Sequence, residues 1–280
     1  MSINYSTKKM TDKISVLVYT RNESNNITDC LASARLLTDS LIVIDMESTD
    51  DTAAIAKKQG AQVFSFPYKR YVEPARKFGI SKANTGWVFI LDADERITAE
   101  LAAEIIKTIN SPTSYNRPAS PAGGQPITFF QVPRKNIFGH KKWLKYGGWW
   151  PDYQTRLIDK RHFRDWPNQI HSTPVIQGAQ GCLTNPLLHY FHGNLQEMVN
   201  KTINFENIES DLLFQADKPV GKLTFFRKFL GELWRRLFKL QGYRDGAIGI
   251  IESIYQAYSK TITYLYLYEK KKNRPLRPVS

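Results

Sequence analysis

Residues 87–95 read WVFILDADE, an unbroken apolar run that ends abruptly in Asp92-Ala93-Asp94-Glu95. A short continuous apolar segment of this kind suits a strand buried on both faces, as in a parallel sheet covered by helices. Three similar runs precede it: Ile14–Thr20 (ISVLVYT), Ser40–Asp45 (SLIVID) and Ala61–Phe66 (AQVFSF). Helical patterns alternate with them at Ser24–Leu37, Asp50–Gln59, Pro74–Ala83 and Thr98–Ile109, the last with Thr98 as its N-cap. The alternation predicts an α/β fold whose mostly parallel sheet carries helices on both faces. Further strands are expected at Ile127–Pro133 and Gln154–Ile158. Residues 110–126, with four Pro, two Gly and four Ser or Thr, read as an exposed loop.

With 280 residues, 42% of them hydrophobic, the chain can bury one substantial core and a smaller appendage. The polar, lysine-bearing segment 1–13 and the short apolar run after it do not form a signal-peptide core, so the fold is expected to stay in the cytosol. Cys30 and Cys182 fit no metal or redox spacing and are expected to be reduced, buried thiols. The net charge of +13 is unevenly placed. Residues 216–280 hold 14 of the 39 Lys and Arg but 5 of the 26 Asp and Glu, which is +9 in the tail and +4 before it. Two domains are expected: a catalytic one over 1–215 and a basic, amphipathic helical tail over 216–280.

In that tail, apolar residues at 226, 229, 230, 233, 237 and 240 share one helical face, flanked by Lys and Arg. Gly246–Glu269 is apolar but interrupted by Glu252 and Lys260. A spanning helix needs ~20 consecutive apolar residues. The tail is therefore expected to lie on an anionic membrane surface through residues 222–272, with packing on the catalytic domain as the alternative.

Ligands of an open parallel sheet bind beyond the carboxyl ends of its strands. Strand one ends at Thr20 and runs into Arg21-Asn22-Glu23; strand two ends on Asp45; strand four ends on Asp92-Ala93-Asp94. The topology gathers these clusters on one edge. A nucleoside diphosphate needs carboxylates and amides for base and ribose, and a hard cation plus an arginine fork for its phosphates. An Asp-x-Asp at a strand end supplies one carboxylate for ribose and one for metal. Arg76, at the start of the preceding helix, would reach the phosphates, and Glu95 is expected to be solvated. Neither a Gly-x-Gly-x-x-Gly turn nor a P-loop follows strand one.

These motifs resemble glycosyltransferase family 2, within it the branch of lipopolysaccharide inner-core glucosyltransferases. The resemblance covers roughly residues 14–270. It is carried by Asn22-Glu23 with Asn26-Ile27, Asp45 with Ser48-Thr49-Asp50, Ala75-Arg76-Lys77, Leu91–Glu95, Gly147–Gln154 (GGWWPDYQ), Leu188-His189-Tyr190 and Asp245-Gly246. It implies a GT-A fold, a nucleotide-sugar donor (UDP-glucose first), a divalent metal (Mg2+ or Mn2+) and single displacement with inversion. It would set Asn22, Glu23 and Asp45 on base and ribose, Arg76 near the diphosphate, Asp92 on the ribose and Asp94 on the metal. Met46-Glu47 and Ile170-His171-Ser172 depart from the family's usual Ser-Gly and Val-His-Glu.

An acceptor hydroxyl needs a positioned base. Asp152, after the Gly-Gly-Trp-Trp-Pro turn, is the candidate, with a structural role in that turn as the alternative. Gln154 and Arg156 stand where a phosphate-facing segment is expected, though Arg156 equally suits a solvated face. Trp149 and Trp150 either stack on a sugar or pack in the core. His171 is a candidate contact to substrate or diphosphate, and His189 with His192 would suit a metal if they lay on a helix. The competing readings are a polyprenyl-phosphate sugar transferase, an inactive membrane scaffold and, prompted by charge alone, a nucleic-acid-binding protein. No nucleic-acid partner is expected, since the tail aromatics follow helical core spacing.

Overall fold

Aliphatic and aromatic side chains make up nearly all of β1 (Ile14–Thr20), β2 (Leu41–Asp45) and β4 (Trp87–Asp92), and every residue of the three except Asp92 is buried. The computed structural model describes residues 13–110, 125–192 and 195–273. In it these strands pair in parallel, with β3 (Gln62–Ser65) parallel beyond β2. Burial on both faces follows from the period-two geometry of a strand. Val16, Val18, Val43, Phe89 and Leu91 enter one core cluster, and Leu17, Tyr19, Ile42, Ile44, Val88 and Ile90 enter the other. Each such side chain contributes about 1.5–3 kcal/mol on full burial.

Three helices connect these strands: α1 (Ile27–Ala34), α2 (Thr52–Lys58) and α3 (Glu73–Lys82). α1 starts later than its pattern because the Glu23 carbonyl accepts from both the Asn26 and the Ile27 N–H in a turn. α4 (Ala99–Asn110) follows Thr98, whose hydroxyl accepts from the Leu101 N–H at 3.2 Å, the expected cap.

Beyond β4 the sheet changes character. β5 (Glu95–Arg96), β6 (Ile127–Phe138), β8 (Asp152–Asp159) and β12 (Leu187–His192) extend it in the order β3-β2-β1-β4-β8-β6-β12-β5. β8 is antiparallel to both β4 and β6. β7 (Lys142–Trp143) and β11 (Ala179–Cys182) flank β6, and β9 (Phe163–Asp165) with β10 (Val175–Ile176) forms a separate ribbon. The architecture is the expected GT-A one: a parallel half continued by mixed strands. His189 and His192 lie on strand β12, so the helical spacing expected for them does not apply. Cys30 is buried, but Cys182, on β11 beside β6, is exposed, which corrects the reading of two buried thiols. Most of the expected loop falls at 111–124, outside the described residues.

The chain divides into two compact units, one drawn from Met1–Lys135 and Asp152–His189, the other from Asn136–Pro151 and Tyr190–Ser280. In the second, α5 (Leu195–Gln215) and α6 (Lys222–Trp234) precede a π-helical turn at Arg235–Lys239, a 3-10 turn at Gly242–Asp245 and α7 (Gly246–Lys272). α7 is bound to α5 by Tyr255 Oη to the Met198 carbonyl at 3.0 Å, by Lys260–Glu209 at 2.8 Å and by Lys270–Asp211 at 2.6 Å.

This unit also accounts for two motifs far apart in sequence. Asp245 Oδ2 accepts the Lys145 and Tyr146 N–H groups at 2.8 and 2.7 Å, and the Leu240 carbonyl accepts the Gly147 N–H at 2.8 Å. Arg236 Nη1 donates to the Gly147 carbonyl at 3.0 Å. Gly147 itself sits at φ +67°, a conformation that only glycine adopts without strain. The Gly-Gly-Trp-Trp turn is thus fixed by the turn that precedes α7.

Glu252 of α7 is fully buried, and neither of its carboxylate oxygens has a hydrogen-bond partner of good geometry among the described residues. Burial pushes its carboxyl up to about 7, with Gln256 and Arg236 countering only in part. The folded chain therefore binds a proton there that the unfolded chain releases nearer pH 4.5. This group's contribution is complete at pH 4 and is lost as pH rises to about 7. Glu252→Gln is expected to raise the melting temperature at pH 8 and leave it unchanged at pH 4.5. Equal shifts at both pH values would show that Glu252 does not titrate in this interval.

Candidate active site

Strand register brings the acidic and polar strand ends together in the first unit. Thr20 pairs with Asp45, and Tyr19 with Asp92, so the rims of β2, β1 and β4 form one edge. The loops after β1 and β2 are laced to one another. Asn22 Oδ1 accepts the Thr49 N–H at 2.7 Å, Ser48 Oγ the Asn22 N–H at 2.9 Å, Thr52 Oγ1 the Glu23 N–H at 2.8 Å, and Asp50 the Ser24 N–H at 3.1 Å. Burial works against the charge on Asp50, but the hydrogen bonds from Thr52 and Ser24 together outweigh it and hold the carboxyl down at about 2. Glu23 accepts from the Asn26 amide at 2.7 Å. Asn22 sits at φ 52°, a left-handed conformation that asparagine tolerates better than most residues.

Asp92 lies between two arginines. Arg76, in the first turn of α3, donates to Oδ1 at 2.8 Å, and Arg156 of β8 donates to Oδ2 at 2.7 Å. Burial alone would raise the Asp92 carboxyl; Arg156 and Arg76 override it and hold the group far below the usual carboxylate range. The same exchange, against burial, raises the Arg156 guanidinium. The Arg76 guanidinium also lies over the rings of Tyr19, at 4.4 Å, and Trp166, at 5.6 Å, while the Tyr19 hydroxyl donates to the Arg76 carbonyl at 2.8 Å. Arg156 is buried, which removes the solvated-face alternative.

Glu95 is not solvated, contrary to expectation: its exposure is 0%. Its Oε2 accepts the Asp92 N–H at 3.0 Å, and Oε1 meets Arg156 at 2.5 Å and Arg134 at 3.4 Å. Arg134 stands directly opposite Asp152 in the β6–β8 ladder and donates to its Oδ2 through Nε at 2.8 Å and Nη2 at 2.6 Å. Gln154 donates to Asp152 Oδ1 at 2.8 Å. Arg76, Asp92, Arg156, Glu95, Arg134 and Asp152 thus form one chain of alternating charge. Arg134 is not among the expected site residues because the strand expected at Ile127–Pro133 stops one residue short of it; β6 runs on to Phe138.

Asp94 is half-buried, with His189 Nε2 at 3.6 Å from its Oδ2. Pairing of β12 with β5 supplies this contact, His189 lying opposite Glu95. Among the described residues no group of three or more His, Cys, Asp and Glu is placed to hold a metal ion. Asp94 supplies one carboxylate and His189 one imidazole, so a cation held there would take its remaining ligands from phosphates and water. His171 is exposed, at φ 59°, and its N–H donates to Glu73 Oε1 at 2.8 Å in the first turn of α3. Trp150 belongs to the second unit, where it packs edge-on to Trp143 with ring centroids 5.4 Å apart; Trp149 packs on Phe191 at 4.8 Å. The side chain of His192 lies outside the described residues.

Several polar atoms at the rim are buried without a partner among the described residues: Thr20 Oγ1, Asp45 Oδ1, Arg76 Nη1 and Arg156 Nε. A buried donor or acceptor left unmade costs about 1–3 kcal/mol. Their concentration at the ends of β1 and β2 and on two neighbouring arginines marks a place where a polar ligand would be held.

Known proteins resemble this chain along most of its length. The profile of Glycosyl transferase family 2 matches residues 15–175. An uncharacterized glycosyltransferase of Rickettsia typhi is 43% identical over 276 residues, covering 92% of this chain and 87% of its own length. One of Rickettsia conorii is 29% identical over 280 residues, covering 95% and 94%. The lipopolysaccharide core biosynthesis glycosyltransferase LpsC of Rhizobium meliloti is 25% identical over 275 residues, covering 92% of each chain.

Removing Glu95 strands the Arg156 and Arg134 guanidiniums, and breaking a buried ion pair from one side costs about 3–5 kcal/mol. Glu95→Ala is expected to lower unfolding stability by that order in urea. Glu95→Gln, which keeps one acceptor for either the Asp92 N–H or Arg156, should lose less. Equal stability of wild type and Glu95→Ala would show that the chain of charge is not structural.

Proposed function

The chain belongs to glycosyl transferase family 2, and from that premise we propose that it transfers a hexose from a nucleoside-diphosphate sugar, UDP-glucose first, to a hydroxyl of a lipopolysaccharide-core or other surface-glycan acceptor, with inversion. The observation that carries the donor reading is the set of unpartnered buried atoms Thr20 Oγ1 and Asp45 Oδ1 at adjoining strand ends, together with Arg76 Nη1 in the first turn of α3. In this reading Thr20, Asn22, Glu23 and Asp45 serve the base and ribose. Asp92, fixed by two arginines and still partly exposed, accepts from the ribose, and Arg76 offers its second Nη to the diphosphate. Asp94 and His189 would hold Mg2+ or Mn2+, whose Lewis acidity would stabilise charge on the departing diphosphate. The lipopolysaccharide acceptor is suggested by the likeness to LpsC.

In the proposed displacement the acceptor oxygen forms its bond to the anomeric carbon from the face opposite the diphosphate. The bond from that carbon to the diphosphate oxygen breaks with its electron pair leaving on the nucleoside diphosphate. Asp152 takes the hydroxyl proton. Arg134 and Gln154 orient its two carboxylate oxygens, which is what a base must have before the substrate arrives. His171, Gln154 and Arg156 are assigned to the substrate or diphosphate side of the site. The domain reading places a catalytic region over 1–215 and a basic tail over 216–280. The tail meets an anionic membrane surface through residues 222–272, on the cytoplasmic side.

Radiolabelled glucose from UDP-glucose, offered to a lipopolysaccharide-core glycolipid and to a polyprenyl phosphate in parallel, tests acceptor class. Transfer to the glycolipid supports the reading, and transfer to the phosphate alone replaces it with the polyprenyl-phosphate enzyme. Asp152→Asn is expected to slow transfer by ~10²–10⁴-fold while UDP affinity stays within a few-fold. Comparable turnover in that variant would remove Asp152 as the base.

A further inference from the structure

We propose that α6 is the element that seats this chain on a membrane, its apolar stripe entering the lipid headgroup boundary while its flanking cations meet anionic headgroups. This narrows the contact proposed above for residues 222–272 to one helix and five side chains. Leu223, Phe226, Leu230 and Trp234 recur at three- and four-residue steps and so share one face. They are 82%, 70%, 59% and 59% exposed, and Phe238, in the π-helical turn that continues α6, is 57% exposed. No residue of α6 is buried. The next helix is built differently: α7 buries Gly249, Glu252, Ser253, Ala257, Thr263 and Leu267, and its outward apolar residues are less exposed than those of α6. Bulky side chains left in water along a whole helix form the kind of continuous apolar surface that marks an interaction site.

Charge decides what covers it. Lys222, Arg227 and Lys239 are exposed beside the stripe, and the one acid of α6, Glu232, is held by Arg235 and Arg236. The tail from 216 onward carries +9. A second copy laid on this face would bring like charges together, whereas an anionic bilayer attracts them, each cation near such a surface strengthening binding by about fivefold. No helix among the described residues is long and apolar enough to cross a membrane, which fits a helix lying in the plane of the interface.

Cosedimentation of the full chain with vesicles tests this. Vesicles of phosphatidylcholine alone are compared with an equimolar mixture of phosphatidylcholine and phosphatidylglycerol. Binding to the anionic vesicles is expected to exceed binding to the neutral ones by at least about tenfold and to weaken as salt rises. Phe226→Ser with Trp234→Ser, and separately Lys222→Glu with Arg227→Glu, should each reduce anionic binding by about tenfold or more. Both variants should keep the wild-type melting temperature, since the replaced side chains touch solvent. Equal binding of wild type and both variants overturns the proposal. So does a wild-type dimer in light scattering that Phe226→Ser with Trp234→Ser converts to monomer without any vesicle binding, which would assign the stripe to a second copy. Vesicle binding is read without sugar transfer, so its failure and the failure of the donor reading remain distinguishable.

Discussion

A charge taken out of water must be met by an opposite charge or by hydrogen bonds, and in this chain that requirement organises the whole sheet rim. Asp92 ends a strand whose other residues are buried, so its carboxylate cannot rely on solvent alone. Arg76 from α3 and Arg156 from β8 satisfy it, Glu95 then satisfies Arg156, and Arg134 links Glu95 to Asp152. Each member neutralises its neighbour. The same pairing therefore fixes both carboxylates to which the proposed reaction assigns work, Asp92 on the donor side and Asp152 on the acceptor side. The arrangement is costly to assemble, because ions in a dry interior gain from one another only when geometry and hydrogen bonding are complete. What it provides is preorganisation, with side chains held before any ligand arrives.

The parallel half of the fold was legible in the residues because its signal is strong and local. Runs such as ISVLVYT and WVFILD admit few readings, and the strands lie where those runs lie, with helix ends differing by a few residues. The position of the strand-end acids was legible for the same reason: once strands are parallel, the residues after each strand end gather on a single rim. Glu95 and Arg134 were not legible. Glu95 looks like an ordinary first-turn acid, and only the return of β12 and the approach of β8 enclose it. Arg134 falls in a stretch, RKNIF, whose polar residues mask the continuing strand.

Two further features depended on long-range pairing. His189 reads as half of an i, i+3 pair, yet it lies on a strand and reaches Asp94 because β12 pairs with β5. Asp245 is a single acid one hundred residues from the Gly-Gly-Trp-Trp turn, and only the hydrogen bonds to Lys145 and Tyr146 reveal what it does. The mixed region beyond β4 is generally harder to read, since antiparallel returns carry no fixed rule for which strand neighbours which.

The central claim is that Asp45, Asp92 and Asp94 hold a metal-bound nucleoside diphosphate at one sheet edge. Thermal unfolding with UDP and GDP, each with and without Mg2+ or Mn2+, tests it most directly. A ligand at a hundredfold its dissociation constant stabilises by about 2.7 kcal/mol, which corresponds to a rise of roughly 5–10 °C for a domain of this size. The account predicts that rise for at least one nucleotide, dependent on the metal and abolished in Asp94→Asn. No stabilisation by any nucleoside diphosphate, or the same stabilisation without metal and in Asp94→Asn, would contradict it.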